Sequence, residues 1–552
     1  MRKTQAKVIM TLALVVFVSS FFLQPAALAQ GPLAPPGAPG ETMKTLDQVE
    51  PRTPISAEGH EIQAPGSYYL TTNIITSGAT AGLRIQTNNV TLDLNGFSIL
   101  GHNGSGNGIS VSAGVDNALI RNGTIRDCYY HGIDAASATR CVFQDLRVLG
   151  NARFPATHDG INAGSQALVE RCQITDNGGD GLVAGAGCRI VNNTIIGNGN
   201  NGIELTGSGS YVADNIVKSN ADNYDIAAGN QLNILLCEVP ESIDWPASVK
   251  FAGTLICSST NNNGITVNAD DVTIDMSGHA LIGPGASSQS GIYQLSSWRN
   301  LRVFNGKVVE WSGTDQYGVY ATGRNTQLQH IQAATNNYGI YSGADSTISD
   351  CSAYNNQDNG IYADSGSVVS RCSASYNKGY GISGWSGSTI SGCSTRQNKG
   401  DGIYGGSGST ISGCSASYNT NDGIYGSSGS TISGCTASGN TGDGIEVFSD
   451  SQVTGNTCDN NGEGGDGAGI HVTNDDNRID SNNVTENDRG IDVDGNGSLI
   501  VRNSASGNTT NYVIAANNKV GVIVSAPNSA AISGDTGGAG VGSTDPWANI
   551  TF

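Results

Sequence analysis

The sequence predicts an all-β solenoid, and three observations support this fold class. The dipeptide Gly-Ile recurs every 21 residues, at Gly339, Gly360, Gly381, Gly402, Gly423 and Gly444. A fixed period of this size is typical of repeat proteins in which each repeat adds one structural unit. The repeats are poor in helix formers and rich in Ile, Ser, Thr, Gly and Asn, which favours short strands joined by tight turns. The whole chain is also turn-rich, with 77 Gly and only 13% charged residues. We therefore expect coils of about 21 residues.

The N-terminus predicts an exported protein. Arg2, Lys3 and Lys7 precede the apolar run 8–23, and a small-residue cleavage site follows at 27–29. This pattern indicates a signal peptide over residues 1–29, because the apolar run is short for a membrane anchor. We expect no membrane insertion after cleavage, and a secreted, periplasmic or cell-surface location. The net charge of −20 argues against nucleic acid as a partner.

The remaining chain reads as a linker, two duplicated lobes and a tail. Residues 30–61 are Pro-rich and lack periodicity, which predicts a linker. The stretch 265–283, ITVNADDVTIDMSGHALIG, matches LRIQTNNVTLDLNGFSILG at 83–101 almost position for position. We place lobe 1 at 62–230 and lobe 2, which contains the regular coils, at 231–525. Residues 526–552 are expected to form a C-terminal cap or tail, since a solenoid must cover its last coil.

These motifs carry a resemblance to a known family. SYYLTTN, VTLDLNGFSI, RNGTI and the repeated NGI or DGI resemble the right-handed parallel β-helix repeat family, over about residues 62–525. That pectate-lyase-like superfamily includes pectate lyases, polygalacturonases, alginate epimerases and many exported proteins without a characterised activity. The resemblance implies a right-handed parallel β-helix and a polysaccharide as the partner.

Two columns of the repeat are expected to lie inside the solenoid. Since stacked strands lie about 4.8 Å apart, equivalent positions form ladders along the axis. One column contains Asn356, Asn377, Asn398, Asn419, Asn440 and Asn461, and should form an amide ladder. Another contains Cys351, Cys372, Cys393, Cys414 and Cys435, which we interpret as buried structural thiols. Cys237 and Cys257 are the pair most suited to a disulfide.

A tyrosine column is expected to lie on the outer surface. The residue after Ile in successive coils includes Tyr320, Tyr341, Tyr362, Tyr404 and Tyr425. A stripe of tyrosines suits the C–H faces of sugar rings, so we predict carbohydrate stacking there. The alternative is a cross-strand aromatic ladder that only stabilises the sheet.

An aspartate column precedes the same isoleucines. Asp401, Asp422 and Asp443 would be adjacent like charges, and Ca²⁺ is one candidate for compensating them. Solvation is another, and Asp also favours the Asp-Gly turn for conformational reasons. We therefore expect that the protein requires no cofactor, with Ca²⁺ as the one candidate ion.

Two constellations are candidates for catalysis. The first lies in the longest coil of lobe 1 and could supply a base, a cation and an acid for attack on a uronic sugar; it comprises His131, Asp134, Arg153, His158, Asp159 and Asp180. The stretch PATHD at 155–159 is similar to the Asp-Pro-His-Asp motif of alginate epimerases, but lacks the first Asp. The alternative cluster is Glu446, His471 and Asp492, in one column beside an inserted loop.

Three functions remain open at this stage. The resemblance favours a carbohydrate-active enzyme, a lyase, epimerase or hydrolase of uronic-acid-containing glycans. The chain departs from the family in lacking the Gly-His-Gly motif of polygalacturonases and the Arg and Asp array of pectate lyases. These departures favour a non-catalytic carbohydrate-binding or surface protein, or a purely structural repeat protein. Convergence of the first constellation on one cleft would support the enzyme.

Overall fold

A computed structural model describes residues 51–77, 81–102, 106–152, 158–286, 288–462, 465, 467–526 and 543–552. The predicted signal peptide, residues 30–50 of the predicted linker and Arg153 lie outside these residues. Every strand of the described residues lies within 53–552. No helix occurs among them. The first strands, Thr53–Ile55 and His60–Ile62, show that the solenoid begins within the stretch 30–61 assigned to the linker.

Each regular coil contributes one strand to each of three faces. In the coil around Ile390, face A is Ile382–Gly384, face B is Thr389–Ser391 and face C is Ser394–Arg396. Each strand pairs in parallel with its equivalent 21 residues away, as Ile382 pairs with Ile403. The predicted all-β parallel fold is confirmed, and the coil length matches the sequence period.

Face A carries the candidate sites and consists of two parallel sheets. The eight-stranded sheet lies in the first half; its strands are His60–Ile62, Leu83–Ile85, Ile109–Val111, Ile133–Asp134, Ile161–Asn162, Leu182–Ala184, Asn201–Leu205 and Asp222–Ile226. The thirteen-stranded sheet lies in the second half; its strands are Glu241–Ile243, Ile265–Val267, Ile292–Gln294, Tyr317–Ala321, Tyr338–Ser342, Ile361–Ala363, Ile382–Gly384, Ile403–Gly405, Ile424–Gly426, Ile445–Val447, Ala468–Val472, Arg489–Val493 and Thr510–Ile514.

Faces B and C form a single sheet that runs through both halves of the solenoid. It contains 38 strands, from Thr53–Ile55 to Asn549–Thr551. Across the predicted boundary between the lobes, Gln231–Leu236 pairs with Ser248–Phe251. Face A is interrupted at the same place, between Asp222–Ile226 and Glu241–Ile243. The described residues between 53 and 552 therefore form one solenoid, and among them face A has a single break.

Isoleucine and valine ladders fill the interior. Ile382 and Ile403 on face A, and Ile390 and Ile411 on face B, are fully buried. Glycine precedes the face A isoleucines because the coils approach closely there. A Cβ at Gly402 would lie 2.5 Å from Asn419 Nδ2 and 2.6 Å from the Gly423 carbonyl oxygen. This close approach explains the recurring Gly-Ile dipeptide.

The predicted amide ladder is confirmed at the corner between faces C and A. Asn398 Nδ2 donates to Asn419 Oδ1 at 3.0 Å, and the Asn398 backbone N–H donates to the same oxygen at 3.1 Å. The side-chain oxygen of each Asn thus accepts hydrogen bonds from the backbone N–H and from the side-chain amide of the Asn in the preceding coil. Since these polar groups are buried, the ladder removes a cost that unpaired groups would carry.

The thiol column occupies the corner between faces B and C. The Cys372 and Cys393 N–H groups donate to Sγ of the cysteine in the next coil, at 3.5 and 3.4 Å. Cys435 N–H donates to Asn456 Oδ1 at 2.8 Å, so asparagine continues the same ladder. All twelve cysteines are free thiols, and eleven are buried, which confirms the structural interpretation. The expected Cys237–Cys257 disulfide was wrong, because both thiols are free.

Candidate functional site

The side chains of the aspartate column are buried. Asp401, Asp422 and Asp443 are 3%, 6% and 7% exposed. Each carboxylate bends along the solenoid axis and accepts the backbone N–H at the same position of the next coil. Asp422 N–H donates to Asp401 Oδ1 at 3.3 Å and Asp443 N–H to Asp422 Oδ1 at 2.8 Å. The column therefore closes the turn into face A.

A carboxyl pair forms where glutamate enters the neighbouring column. Glu446 lies one coil beyond Tyr425, and its side chain is hydrogen-bonded to Asp422 of the preceding coil. Burial, then repulsion from Asp422, raises the pKa of Glu446 to about 8. Burial and repulsion from Asp443 also raise the pKa of Asp422. Because two close carboxylates cannot both ionise easily, the pair holds one proton at neutral pH.

His471 lies beside this pair as a doubly bonded imidazole. It pairs in register with Glu446, and its Nδ1 lies 2.8 Å from Asp443 Oδ2. Its Nε2 lies 3.2 Å from Asp494 Oδ2. Burial alone would lower the pKa of His471, but the hydrogen bonds to these carboxylates raise it to about 9. His471 is therefore an imidazolium at neutral pH, with no free lone pair to act as a base.

Asp492 completes the predicted alternative cluster. It pairs in register with His471, as predicted, and is 1% exposed. Its Oδ2 is bound by Arg489 Nη1, whereas its buried Oδ1 has no hydrogen-bond partner in the described part of the chain. Glu446, His471 and Asp492 thus occupy consecutive coils of one column, adjoining the aspartate column.

One residue of the aspartate column, Asp443, belongs to a group of candidate metal ligands. Asp443, Glu446 and His471 each offer a ligand atom, and these atoms lie within 4.8 Å of one another. Among the described residues, Asp401 and Asp422 belong to no such group. Ca²⁺ binding at Asp401, Asp422 and Asp443 therefore stays a prediction, and Asp443 is the member of that column with other candidate ligands close by.

The constellation in lobe 1 is partly assembled. His131, Asp159 and Asp180 lie in one axial ladder, in which Asp159 N–H donates to His131 Nδ1 at 2.8 Å and Asp180 N–H to Asp159 Oδ1 at 3.2 Å. The rings of His131 and His158 are 4.7 Å apart. Because His131 Nδ1 accepts a backbone proton, neutral His131 carries its own proton on Nε2. Nε2 of neutral His131 can therefore donate a hydrogen bond, but it cannot take a proton from a substrate.

Asp134 lies in a different column from this ladder. It pairs in register with Asn162, and Asn107 Nδ2 donates to its Oδ2 at 3.2 Å. No described contact joins Asp134 to His131. The structure thus brings His131, His158, Asp159 and Asp180 together and leaves Asp134 in the neighbouring column.

Sequence reasoning missed Glu204, which repeats the carboxyl pair of the second half. Its side chain is hydrogen-bonded to Asp180 of the preceding coil, and burial followed by this hydrogen bond raises its pKa to about 7. The signal was available, because Gly-Ile-Glu occurs at 202–204 and again at 444–446.

The tyrosines form a stacked ladder on face A. The centroids of Tyr341 and Tyr362 lie 4.5 Å apart with an interplanar angle of 9°, and those of Tyr404 and Tyr425 lie 5.2 Å apart with an angle of 5°. Ser383 interrupts the ladder between Tyr362 and Tyr404. Rings stacked in this way turn their faces towards each other. Edges and hydroxyls are therefore left for a ligand along most of the ladder.

A comparison with models of known protein families assigns this chain to a family. The family described as right handed beta helix region matches residues 61–221, 255–404 and 385–510. The chain belongs to this right-handed β-helix family. The family assignment agrees with the parallel coils and leaves the activity open, because one fold hosts many activities.

Solved structures with similarity to this chain include two modules of Azotobacter vinelandii enzymes. The A-module of mannuronan C-5 epimerase AlgE6 has 15% identity and a TM-score of 0.34, covering 66% of this chain and 92% of that one. The AlgE4 A-module has 14% identity and a TM-score of 0.33, covering 65% and 91%. The periplasmic alginate epimerase AlgG has 11% identity and a TM-score of 0.23, covering 76% and 77%. No curated protein sequence matched the chain. The described part of the chain has no helix long and apolar enough to span a membrane.

Proposed function

We propose that this β-helix protein acts on a polysaccharide by acid–base chemistry, with Glu446 as the acid. The observation that carries the proposal is the Glu446–Asp422 carboxyl pair, which keeps a proton at neutral pH beside the Asp443–His471 ion pair. Acid catalysis at pH 7 needs a carboxyl group whose pKa is raised towards neutrality, and burial supplies that shift here.

Glycosidic bond hydrolysis is the reaction that this arrangement supports best. Such enzymes use two carboxyl groups, one as an acid and the other as a base or nucleophile. Glu446 would protonate the leaving oxygen as the glycosidic C–O bond breaks. The Asp443 carboxylate, paired with His471, would form the bond to the sugar carbon, and water would later release the sugar and restore the proton of Glu446. The ligand oxygens of Asp443 and Glu446 lie within 4.8 Å, a separation that leaves little room for an intervening water.

Elimination or epimerisation of a uronic sugar is the second candidate. It is favoured by the His471 imidazolium, which could neutralise a sugar carboxylate. It is disfavoured because both nitrogens of His471 already contact carboxylates and Arg489 is paired with Asp492. A non-catalytic carbohydrate-binding role is the remaining alternative. We also propose export through the signal peptide at residues 1–29.

The test is a polysaccharide screen with two readouts. New reducing ends without ultraviolet absorbance indicate hydrolysis, whereas absorbance from unsaturated uronates indicates elimination. We expect Glu446→Gln to lower the rate by about 10²–10⁴-fold, the usual contribution of a general acid. Glu486→Gln, an exposed glutamate outside face A, is the matched control and should retain the rate. The absence of turnover on neutral and acidic substrates would overturn the proposal.

A further inference from the structure

A polar cavity lies at the opposite end of the tyrosine ladder from Glu446. Two adjoining cavities of about 440 and 310 Å³ share Asn263 and Gln289 among their lining residues. We call their combined space the amide groove. Cavities of 300 to 1,000 Å³ are the usual size of small-ligand sites, so the amide groove could hold one or more sugar units.

Tyr293 gives the amide groove an aromatic wall. It is the first ring of the ladder, and its centroid lies 5.3 Å from that of Tyr320 with an interplanar angle of 17°. The residue in register with Tyr293 on the other side is Thr266, which carries no ring. One face of Tyr293 is therefore not stacked on another tyrosine, unlike the faces of Tyr341 inside the ladder. An aromatic face that no other described ring covers, here called the free face, suits the C–H face of a pyranose.

Amide groups line the remainder of the groove. Gln289 is half-buried, and its side chain forms no hydrogen bond within the described part of the chain. Asn263 holds the wall in place, because its Oδ1 accepts the Ser290 N–H at 3.1 Å and its Nδ2 donates to Thr266 at 3.3 Å. Amides both donate and accept, so they can bond sugar hydroxyls in either sense.

The charges of the groove indicate a neutral ligand. Its described lining includes Glu241 and Asp315 but no Lys or Arg. Burial raises the pKa of Glu241 to about 7, so that carboxyl is also a potential hydrogen-bond donor near neutral pH. A uronic sugar would meet carboxylates without a compensating cation, which is unfavourable.

We propose that the amide groove binds a neutral pyranose unit of the glycan, with the sugar ring on the free face of Tyr293 and its hydroxyls on Gln289. This inference rests on the proposed polysaccharide activity and makes the groove a remote subsite of the same ligand. In-register pairs lead from Tyr293 to Glu446 in seven coil steps, so the two ends lie about 34 Å apart along face A.

Calorimetric titration of the full chain carrying Glu446→Gln tests the groove without turnover. The probes are β-1,4-linked hexasaccharides of glucose, mannose and xylose, with hexagalacturonate as the acidic arm. We expect at least one neutral probe to bind, Tyr293→Ala to weaken its binding at least tenfold, and Tyr293→Phe to preserve it. Tyr354→Ala is the matched control, because this exposed tyrosine lies on face C, away from the ladder, and it should change binding less than threefold.

Four results would overturn the assignment of the groove. They are binding of hexagalacturonate alone, binding of no probe, neutral binding that survives Tyr293→Ala, and equal losses in Tyr293→Ala and Tyr354→Ala. Thermal unfolding of each variant checks its fold. If Tyr293→Ala fails to fold, Gln289→Leu replaces it, with the same tenfold loss expected. Because binding and turnover are measured separately, failure of the groove is distinct from failure of the proposed activity.

Discussion

The carboxyl group of Glu446 is hydrogen-bonded to the carboxyl group of Asp422 one coil earlier, although the two residues are 24 positions apart. The contact joins the aspartate column to the neighbouring column, which contains the tyrosines and Glu446. Asp422 uses its Oδ1 to accept the Asp443 N–H, which holds its side chain along the solenoid axis. A structural turn thus supplies the partner that keeps Glu446 protonated.

The buried carboxyl groups make the stability of the solenoid depend on pH. Burial raises the pKa of Asp401 and Glu241 to about 7, and burial with Asp422 raises that of Glu446 to about 8. A carboxyl group whose pKa is raised in the folded state stabilises that state fully at pH values below its pKa in the unfolded chain, near 4. This stabilisation is lost as the pH rises through 7 to 8. His471, whose pKa is raised to about 9, acts in the same direction at higher pH.

We therefore expect the thermal unfolding midpoint to decrease as the pH is raised from 5 to 9. Circular dichroism melts at constant ionic strength measure it. Asp401→Asn should flatten part of this dependence, because it removes one titrating group from the same buried column. A midpoint that rises over this interval would contradict the assignment of these groups.

The thiol ladder should accept asparagine. Cys393 Sγ lies 3.7 Å from the Val369 carbonyl, and the equivalent Asn456 Nδ2 donates to Ile432 at 3.0 Å. Cys393→Asn should therefore retain or raise stability, by about 0–1 kcal/mol. Cys393→Leu, which overfills the corner and removes the acceptor, should lower it by about 1–3 kcal/mol. Denaturant unfolding compares the two, and a larger loss for Asn than for Leu would refute the interpretation.

Replacing the glycine of the Gly-Ile dipeptide by alanine should destabilise the solenoid. Gly402→Ala would place Cβ against the Asn419 amide and the next coil, at a cost of about 1–3 kcal/mol. Gly253→Ala is the control, because no atom lies within 4 Å of its Cβ position. Equal unfolding free energies for the two variants would show that the close approach is not limiting.

The sequence predicted the coil and the ladders because both follow from a fixed period. Asn398, Cys393 and Ile390 recur every 21 residues, and stacking places equivalent positions one above another. The burial of Asp422 could not be predicted in this way. Its side chain bends along the axis to meet a backbone N–H of the next coil, and that direction is not encoded in the alternation of a strand.

The candidate sites were predicted in part for the same reason. The register of Glu446, His471 and Asp492 followed from the period and is confirmed. The contact of Glu446 with Asp422 could not be predicted, because it joins two columns and depends on how the side chains bend. The free face of Tyr293 could not be predicted either, since it depends on where the ring ladder starts.

The pH dependence of kcat/KM on the cleaved polysaccharide tests whether Glu446 acts as the acid. The Glu446–Asp422 pair should lose its shared proton with an apparent pKa near 8, the value to which burial and Asp422 raise that of Glu446. We expect kcat/KM to be halved near pH 8 and then to fall about tenfold per pH unit, and we expect the residual activity of Glu446→Gln to lack this decrease. A rate that rises through pH 8, or a Glu446→Gln variant as active as the unmodified chain, would contradict this role of Glu446.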